Sequence, residues 1–359
     1  MMRRKTFRFS VALSIFLPIL AAEAQDVDVP GNLTMRDSTG STVGNILKGG
    51  VPFIHNFGTD NTFIGKNAGN FTMTGGFGSN TATGAFALRS NTAGGGNTAT
   101  GAFALQHNTT GTLNTASGAA ALDFNTTGSN NTADGVNALF SNTTGSGNTA
   151  SGSHALFSNT TGSANTANGA NVTLGNNTTG NFNTASGFNA LLSNTTGSGN
   201  TALGSNADVS AGDLTNATAI GAGAIVDASD KIRLGNDSVT VIEGLVGFTA
   251  NSDRDRQENF RAVRGEEVLR KIRRLNLTSW NYVGQEPTQF RHYGPAAQDF
   301  FDAFGNDGVG TIGTPTTITS TDIEGILMVA VQALERENDA LKARLEALER
   351  MVGNEVAGR

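Results

Sequence analysis

Few residues in this chain could do chemistry. It contains no Cys, which excludes a thiolate nucleophile, a thiolate zinc site, an iron–sulfur centre and a disulfide scaffold. His107 and His154 lie at non-equivalent places in a repeating segment. Between residues 61 and 215 the only charged residues are Lys66, Arg89, Asp123, Asp134, Asp208 and Asp213. So sparse a set holds neither a metal-ligand cluster nor the recurring Asp of a calcium-binding nonapeptide repeat. It also lacks the paired carboxylates of glycoside hydrolysis. The chain is therefore expected to need no metal and no cofactor. Ser252 carries a free hydroxyl, and Asp255 three residues on gives the local pattern of a helix N-cap. Asn-Thr-Thr matches the glycosylation sequon many times, but a match imposed by a structural period is poor evidence for glycans.

The elements that hold these residues begin with an address. Arg3, Arg4, Lys5 and Arg8 precede an apolar run from Phe9 to Leu20, and Ala22 and Ala24 supply small residues before Gln25. This predicts an export signal peptide at 1–24, removed by cleavage. The run is shorter than the ~20 residues of a spanning helix, so the mature chain is expected to have no membrane span. The expected location is extracellular or at the cell surface. A formal net charge of −6, with no basic block in the mature chain, argues against a nucleic-acid binder.

After an N-terminal segment at 25–60 comes a repeat. Asn-Thr pairs begin at Asn61, Asn80, Asn97, Asn114, Asn131, Asn148, Asn165, Asn183 and Asn200, in steps of 19, then 17 five times, then 18 and 17. The unit is too short for a common helix-pair solenoid, whose repeats run to ~33 residues or more. Gly, Asn and Thr are poor helix formers. The pattern predicts a mostly β protein, a parallel β-roll or β-solenoid of 17-residue coils over 61–224. Each coil would contribute two short strands, with Asn stacked on Asn and Thr on Thr. Gly101, Gly118, Gly135, Gly152 and Gly187 would turn the chain with positive φ. Each coil has one dependable large apolar residue, such as Leu105, Leu122, Leu139 or Leu156. A fully buried Leu contributes ~1.5–3 kcal/mol, against ~1–2 kcal/mol of backbone entropy per ordered residue. So thin a core predicts a roll stable only as an oligomer that buries the Leu/Ala edge.

These Asn-Thr-Ala-x-Gly-x-x-Ala units, ending in Asn216-Ala217-Thr218-Ala219-Ile220-Gly221-Ala222-Gly223-Ala224, resemble the head of trimeric bacterial adhesins. The resemblance implies a left-handed roll with three chains side by side and a host-surface or glycan target. The 17-residue unit is longer than that family's usual repeat.

Residues 225–251 read as a β connector, with Lys231 to Asn236 and Val239 to Gly244 in alternating pattern. From Ser252 the composition changes: residues 252–359 hold 31 of the 54 charged residues, both Tyr and the Trp. A small α+β domain is predicted at 252–320. It has an amphipathic helix from Gly265 to Leu275, a strand from Leu277 to Tyr282, and a helix from Ala296 to Phe304 whose Phe300, Phe301 and Phe304 form a core. Thr321 to Glu324 reads as a capping box opening a coiled coil at 321–352. Val331, Asn338, Leu345 and Val352 fall at a, and Leu327, Leu334, Leu341 and Leu348 at d. Asn338 would fix register, and a trimeric roll makes three strands the expected number.

Ser252-Asp253-Arg254-Asp255-Arg256-Gln257-Glu258-Asn259-Phe260, Trp280-Asn281-Tyr282 and His292 to Phe300 occur in an order that resembles the peptidase S74-type intramolecular chaperone of phage tailspikes and tail fibres. That resemblance implies a homotrimeric fibre protein whose C-terminal domain trimerises and templates the β-structured part. In cleaving members it also implies one self-cleavage, here between Asn251 and Ser252, with Ser252 as nucleophile and a Lys five residues on as base. That position holds Gln257, a neutral amide that cannot take up a proton. Arg254 and Arg256 stay protonated. Lys271 and His292 are the alternative bases, and any enzyme activity is at most this single event in cis.

Overall fold

The computed structural model describes residues 37–41, 43–74, 78–239, 242, 254–283, 285–289, 291–308 and 310–357. The predicted signal peptide lies outside them. The chain divides into two compact units, 1–236 and 237–359.

The first unit is a parallel β-solenoid. A hairpin of β1 (Ile46–Lys48) and β2 (Val51–His55) pairs antiparallel with β3 (Thr62–Ile64). Each later coil then adds one strand in parallel: β4 (Thr81–Thr83), β5 (Thr98–Thr100), β6 (Thr115–Ser117), β7 (Thr132–Asp134), β8 (Thr149–Ser151), β9 (Thr166–Asn168), β10 (Thr184–Ser186) and β11 (Thr201–Leu203). Register is exact from coil to coil, Thr132 on Thr149 and Ala133 on Ala150. Alternation explains the Thr-Ala-x triplet: Ala is buried, and the residues on either side of it face outward.

One strand forms per coil, where two were expected. The second run, ending in Ala-Leu, is a turn in which Leu122, Leu139 and Leu156 take φ of 52–53°. A left-handed residue costs ~1–2 kcal/mol, and full burial of its side chain offsets that cost. A second strand appears only near the end, where β12 (Asp208–Val209) pairs with β14 (Ile225–Val226) while β13 (Thr218–Ile220) and β15 (Ile232–Leu234) close the main sheet.

The Leu/Ala column is not an open edge. Leu88, Leu105, Leu122, Leu139, Leu156, Leu174 and Leu191 are all 0% exposed within a single chain, packed against the strand Ala residues. The expectation that association is needed to bury them is overturned. The coil folds back on itself tightly enough that Ala and Leu make up most of its apolar filling.

Two buried Asn ladders complete the core. Asn131 Nδ2 donates to Asn114 Oδ1 (3.1 Å) and to Gly145 O (2.9 Å), and its own Oδ1 accepts from the backbone N–H and Nδ2 of Asn148. Eleven residues on, Asn142 Nδ2 donates to Asn125 Oδ1 (2.8 Å) and to the same Gly145 carbonyl (2.9 Å). Sharing that carbonyl is why Asn-Thr occurs twice per unit. Within the ladders each of these amides has partners for both its oxygen and its nitrogen, as burial demands. The sequon Asn residues Asn108, Asn125, Asn142 and Asn159 are 0% exposed and are closed to glycosylation in the folded chain.

At the N-terminal end His55 is buried, stacked on Phe71 (4.2 Å between centroids), with Nε2 2.7 Å from Ala68 O. Burial lowers its pKa below the ordinary 6.5, against the opposing pull of the Ala68 hydrogen bond. The unfolded chain then binds the extra proton, so this stability is present above about pH 6.5 and is lost as pH falls through the folded value. Burial pushes Asp123 and Asp208 the other way, raising them from 3.8, so their contribution to stability has the opposite sign. Thermal melts between about pH 7.5 and 5.5 should show the midpoint falling with acid, and His55→Gln should flatten that slope. An unchanged slope in the variant would rule out His55 as its source.

Candidate functional site in the C-terminal unit

The second unit is built around one long helix. A 3-10 turn at Arg254–Arg256 leads to exposed irregular chain, then α1 (Gly265–Ile272), a hairpin of β16 (Thr278–Trp280) and β17 (His292–Gly294), α2 (Ala297–Phe304) and α3 (Ser320–Ala357). The helix cap differs from the expected one. The Thr319 hydroxyl accepts from the Asp322 N–H (3.1 Å) and donates to the Asp322 carboxylate (2.7 Å), so the box starts two residues before Thr321.

α3 carries two apolar stripes. Ile323, Ile326, Val329 and Ala330 pack on Val268, Leu269 and Ile272 of α1 and on Phe300 and Phe304 of α2. Gly265 lets α1 approach closely, since a Cβ there would lie 2.6 Å from the Ala333 Cβ. The second stripe is the heptad set. Leu327, Val331, Leu334, Leu341, Leu345, Leu348 and Val352 are each 51–63% exposed. A contiguous run of exposed Leu and Val marks an interaction surface.

Of the candidate catalytic residues, Ser252 and the Asn251–Ser252 bond lie outside the described residues. Gln257 is exposed just after the 3-10 turn, with its N–H donating to Arg254 O (3.2 Å). The alternative bases are engaged elsewhere. Lys271 Nζ sits over the Phe304 ring, 5.2 Å from its centroid. The His292 ring stacks on Trp280 (4.7 Å), meets Tyr282 edge-on (5.2 Å), and holds Nε2 3.2 Å from Gln285 Oε1. That oxygen also accepts from the Tyr282 N–H (2.9 Å). The Trp280, Tyr282 and His292 motifs quoted from the sequence thus meet in one hairpin, with Trp280 directly opposite His292. The strand at His292–Gly294 escaped sequence reading because it is three residues long and ends in Gly.

Among the described residues no group of three or more His, Asp or Glu could hold a metal ion, and no helix is long and apolar enough to cross a membrane. No curated protein and no solved structure is significantly similar to the chain. Residues 252–309 match the family model Peptidase_S74, described as the chaperone of endosialidase. The chain therefore joins a parallel β-solenoid to an S74-type chaperone-of-endosialidase segment, the make-up of a tail-fibre- or tailspike-like protein.

Proposed function

We propose that this is an exported, homotrimeric fibre or adhesin-like structural protein, and that its C-terminal segment, 252–320 with the coiled coil at 321–352, is an intramolecular chaperone for trimerisation and folding. The observation that carries the reading is the second stripe of α3, an apolar a/d surface with no counterpart among the described residues of its own unit, on a chain whose 252–309 matches the chaperone family. In this reading the signal peptide delivers the chain outside the cytoplasm, the helices associate first, and the solenoid forms on that template. The solenoid, with few charges and regular files of Thr and Asn, serves as the shaft or head that meets a host surface or glycan.

Self-cleavage between Asn251 and Ser252 is not part of the reading. A hydroxyl is a weak nucleophile without an adjacent base, Gln257 supplies none, and Lys271 and His292 have other partners.

The test is expression of the full chain beside a chain ending at Asn251. The full chain should be soluble and run as one band on a denaturing gel, while the truncated chain should aggregate or be degraded. Equal folding of both would overturn the chaperone role. Two fragments that merge into one band on Ser252→Ala would restore self-cleavage.

A further inference from the structure

We propose that the stretch Glu258–Arg264 is a processing site for an arginine-specific, trypsin-like endoprotease acting in trans, cut between Arg261 and Ala262. The inference goes beyond the chaperone reading and needs only the geometry of residues 254–268.

Every residue from Gln257 to Arg264 is exposed. Among the described residues, Glu258 to Val263 take part in no backbone–backbone hydrogen bond; the nearest are Gln257 N–H to Arg254 O upstream and the Glu267 and Val268 N–H groups to Arg264 O downstream. A protease must draw several residues either side of the scissile bond into its cleft. Exposed, unpaired chain meets that need without local unfolding, and such segments are where nicking concentrates. Phe260 and Val263, flanking the bond on each side, are 63% and 62% exposed. Asn259 sits at φ 59°, with no backbone bond to break when it straightens.

Several other described basic residues are held differently, although Arg273 and Arg274, in the turn after α1, are also exposed. The carbonyl of Arg254 is bonded within the 3-10 turn, and that of Arg264 starts α1, where Gly265 is buried. Arg270 and Lys271 are inside α1; Arg336, Lys342, Arg344 and Arg350 are inside α3. Lys66 is locked into the solenoid through its carbonyl, which accepts from Phe86 N–H.

The position of the cut also matters. Every residue of this unit's apolar core, from Val268 through Phe300 and Phe304 to Ala330, lies downstream of it. Upstream of it, Arg254 over the Phe260 ring is a local contact. Hydrolysis adds water across the Arg261–Ala262 peptide bond, leaving a carboxylate on Arg261 and a free amine on Ala262. It would release 262–359 with its core complete and leave the solenoid on the other fragment. The chain would then have an external route to shed its folding unit, in place of the internal one that Gln257 does not support.

The test is limited proteolysis of the full chain with trypsin under native conditions, read by intact-fragment mass. The first products should end at Arg261 and begin at Ala262, and the fragment 262–359 should keep its helical circular dichroism. Arg261→Gln should slow the first cut by more than about tenfold, because the sites inside α1, α3 and the solenoid must open before they are cut and the turn at Arg273 and Arg274 is anchored on both sides by α1 and the β16 hairpin. A first cut elsewhere, or an Arg261→Gln chain cut at the original rate, would overturn the proposal. Neither result depends on whether the chain is a trimer. Failure of the chaperone reading would appear instead in the truncation experiment above.

Discussion

Leu334→Asp combined with Leu341→Asp is expected to abolish assembly while leaving each chain's own C-terminal core in place. Both side chains are more than half exposed in the single chain, at 53% and 62%. The substitution therefore removes little from the isolated unit. In a coiled coil each Leu at d would be buried against its partners, an interaction of ~1.5–3 kcal/mol per side chain. A carboxylate in that seam adds an unpaired buried charge, which costs far more than the lost contact. Size-exclusion mass should fall from the assembled species to one chain. Because the solenoid would lose its template, the yield of soluble protein should fall as well. Ala333→Asp is the contrasting substitution: Ala333 is 4% exposed on the other stripe and should unfold the unit itself. If the double variant keeps the mass of the unsubstituted protein, α3 is not the assembly surface.

The second large effect is expected inside the solenoid. Gly135 has φ 135°, and a Cβ there would lie 2.6 Å from both the C and O atoms of Gly152 in the next coil. Those are backbone atoms within a continuous hydrogen-bonded stack, so nothing can swing aside. Gly135→Val should cost several kcal/mol, combining ~1–3 kcal/mol of backbone strain with separation of two coils. In a repeat array each coil contacts only its neighbours, so one broken interface divides the stack. The thermal midpoint should drop by roughly 4–16 °C, the shift that 2–4 kcal/mol gives in a domain of 150–250 residues, or the protein should be insoluble. Gly147 gives the contrast. It also has positive φ, but a Cβ there meets nothing closer than 3.9 Å, and the equivalent positions carry Asn130, Ala164 and Phe182. Gly147→Asn should melt close to the unsubstituted protein. Equal damage from both substitutions would mean that φ, and not the approach of the next coil, governs glycine here.

The solenoid was legible because its constraints repeat. Asn at intervals of 17 had to mean a ladder, and the hydrogen bonds of Asn114, Asn131 and Asn148 have that geometry. What the pattern hid was closure within the coil. Counting one Leu per unit suggested an exposed edge, because a propensity argument does not place Leu139 at φ 52°, the conformation that turns its side chain inward. Propensity also favoured a second strand where the chain makes a turn. In the C-terminal unit the heptads of α3 were plain, since Leu recurs every seven residues. The stripe beside it, Ile326, Val329 and Ala330, was not, because it becomes a core face only when α1 and α2 pack against it. The cap shifted from Thr321 to Thr319 for a similar reason: both offer a hydroxyl with a carboxylate three residues on, and the fold selects between them. Of the candidate site, the Trp280, Tyr282 and His292 motifs could be read but not their stacking, which pairs residues twelve apart across a hairpin. The open stretch around Arg261 has no sequence signal of its own, because openness is a property of what fails to pack there.

The central claim, a trimer built by its own C-terminal unit, is tested most directly by the native mass of the full assembled protein. For protein kept from trypsin-like proteases, the account predicts three copies of a chain of 36.9 kDa, each less the mass of any leader removed on export. A species with the mass of a single folded chain would contradict it.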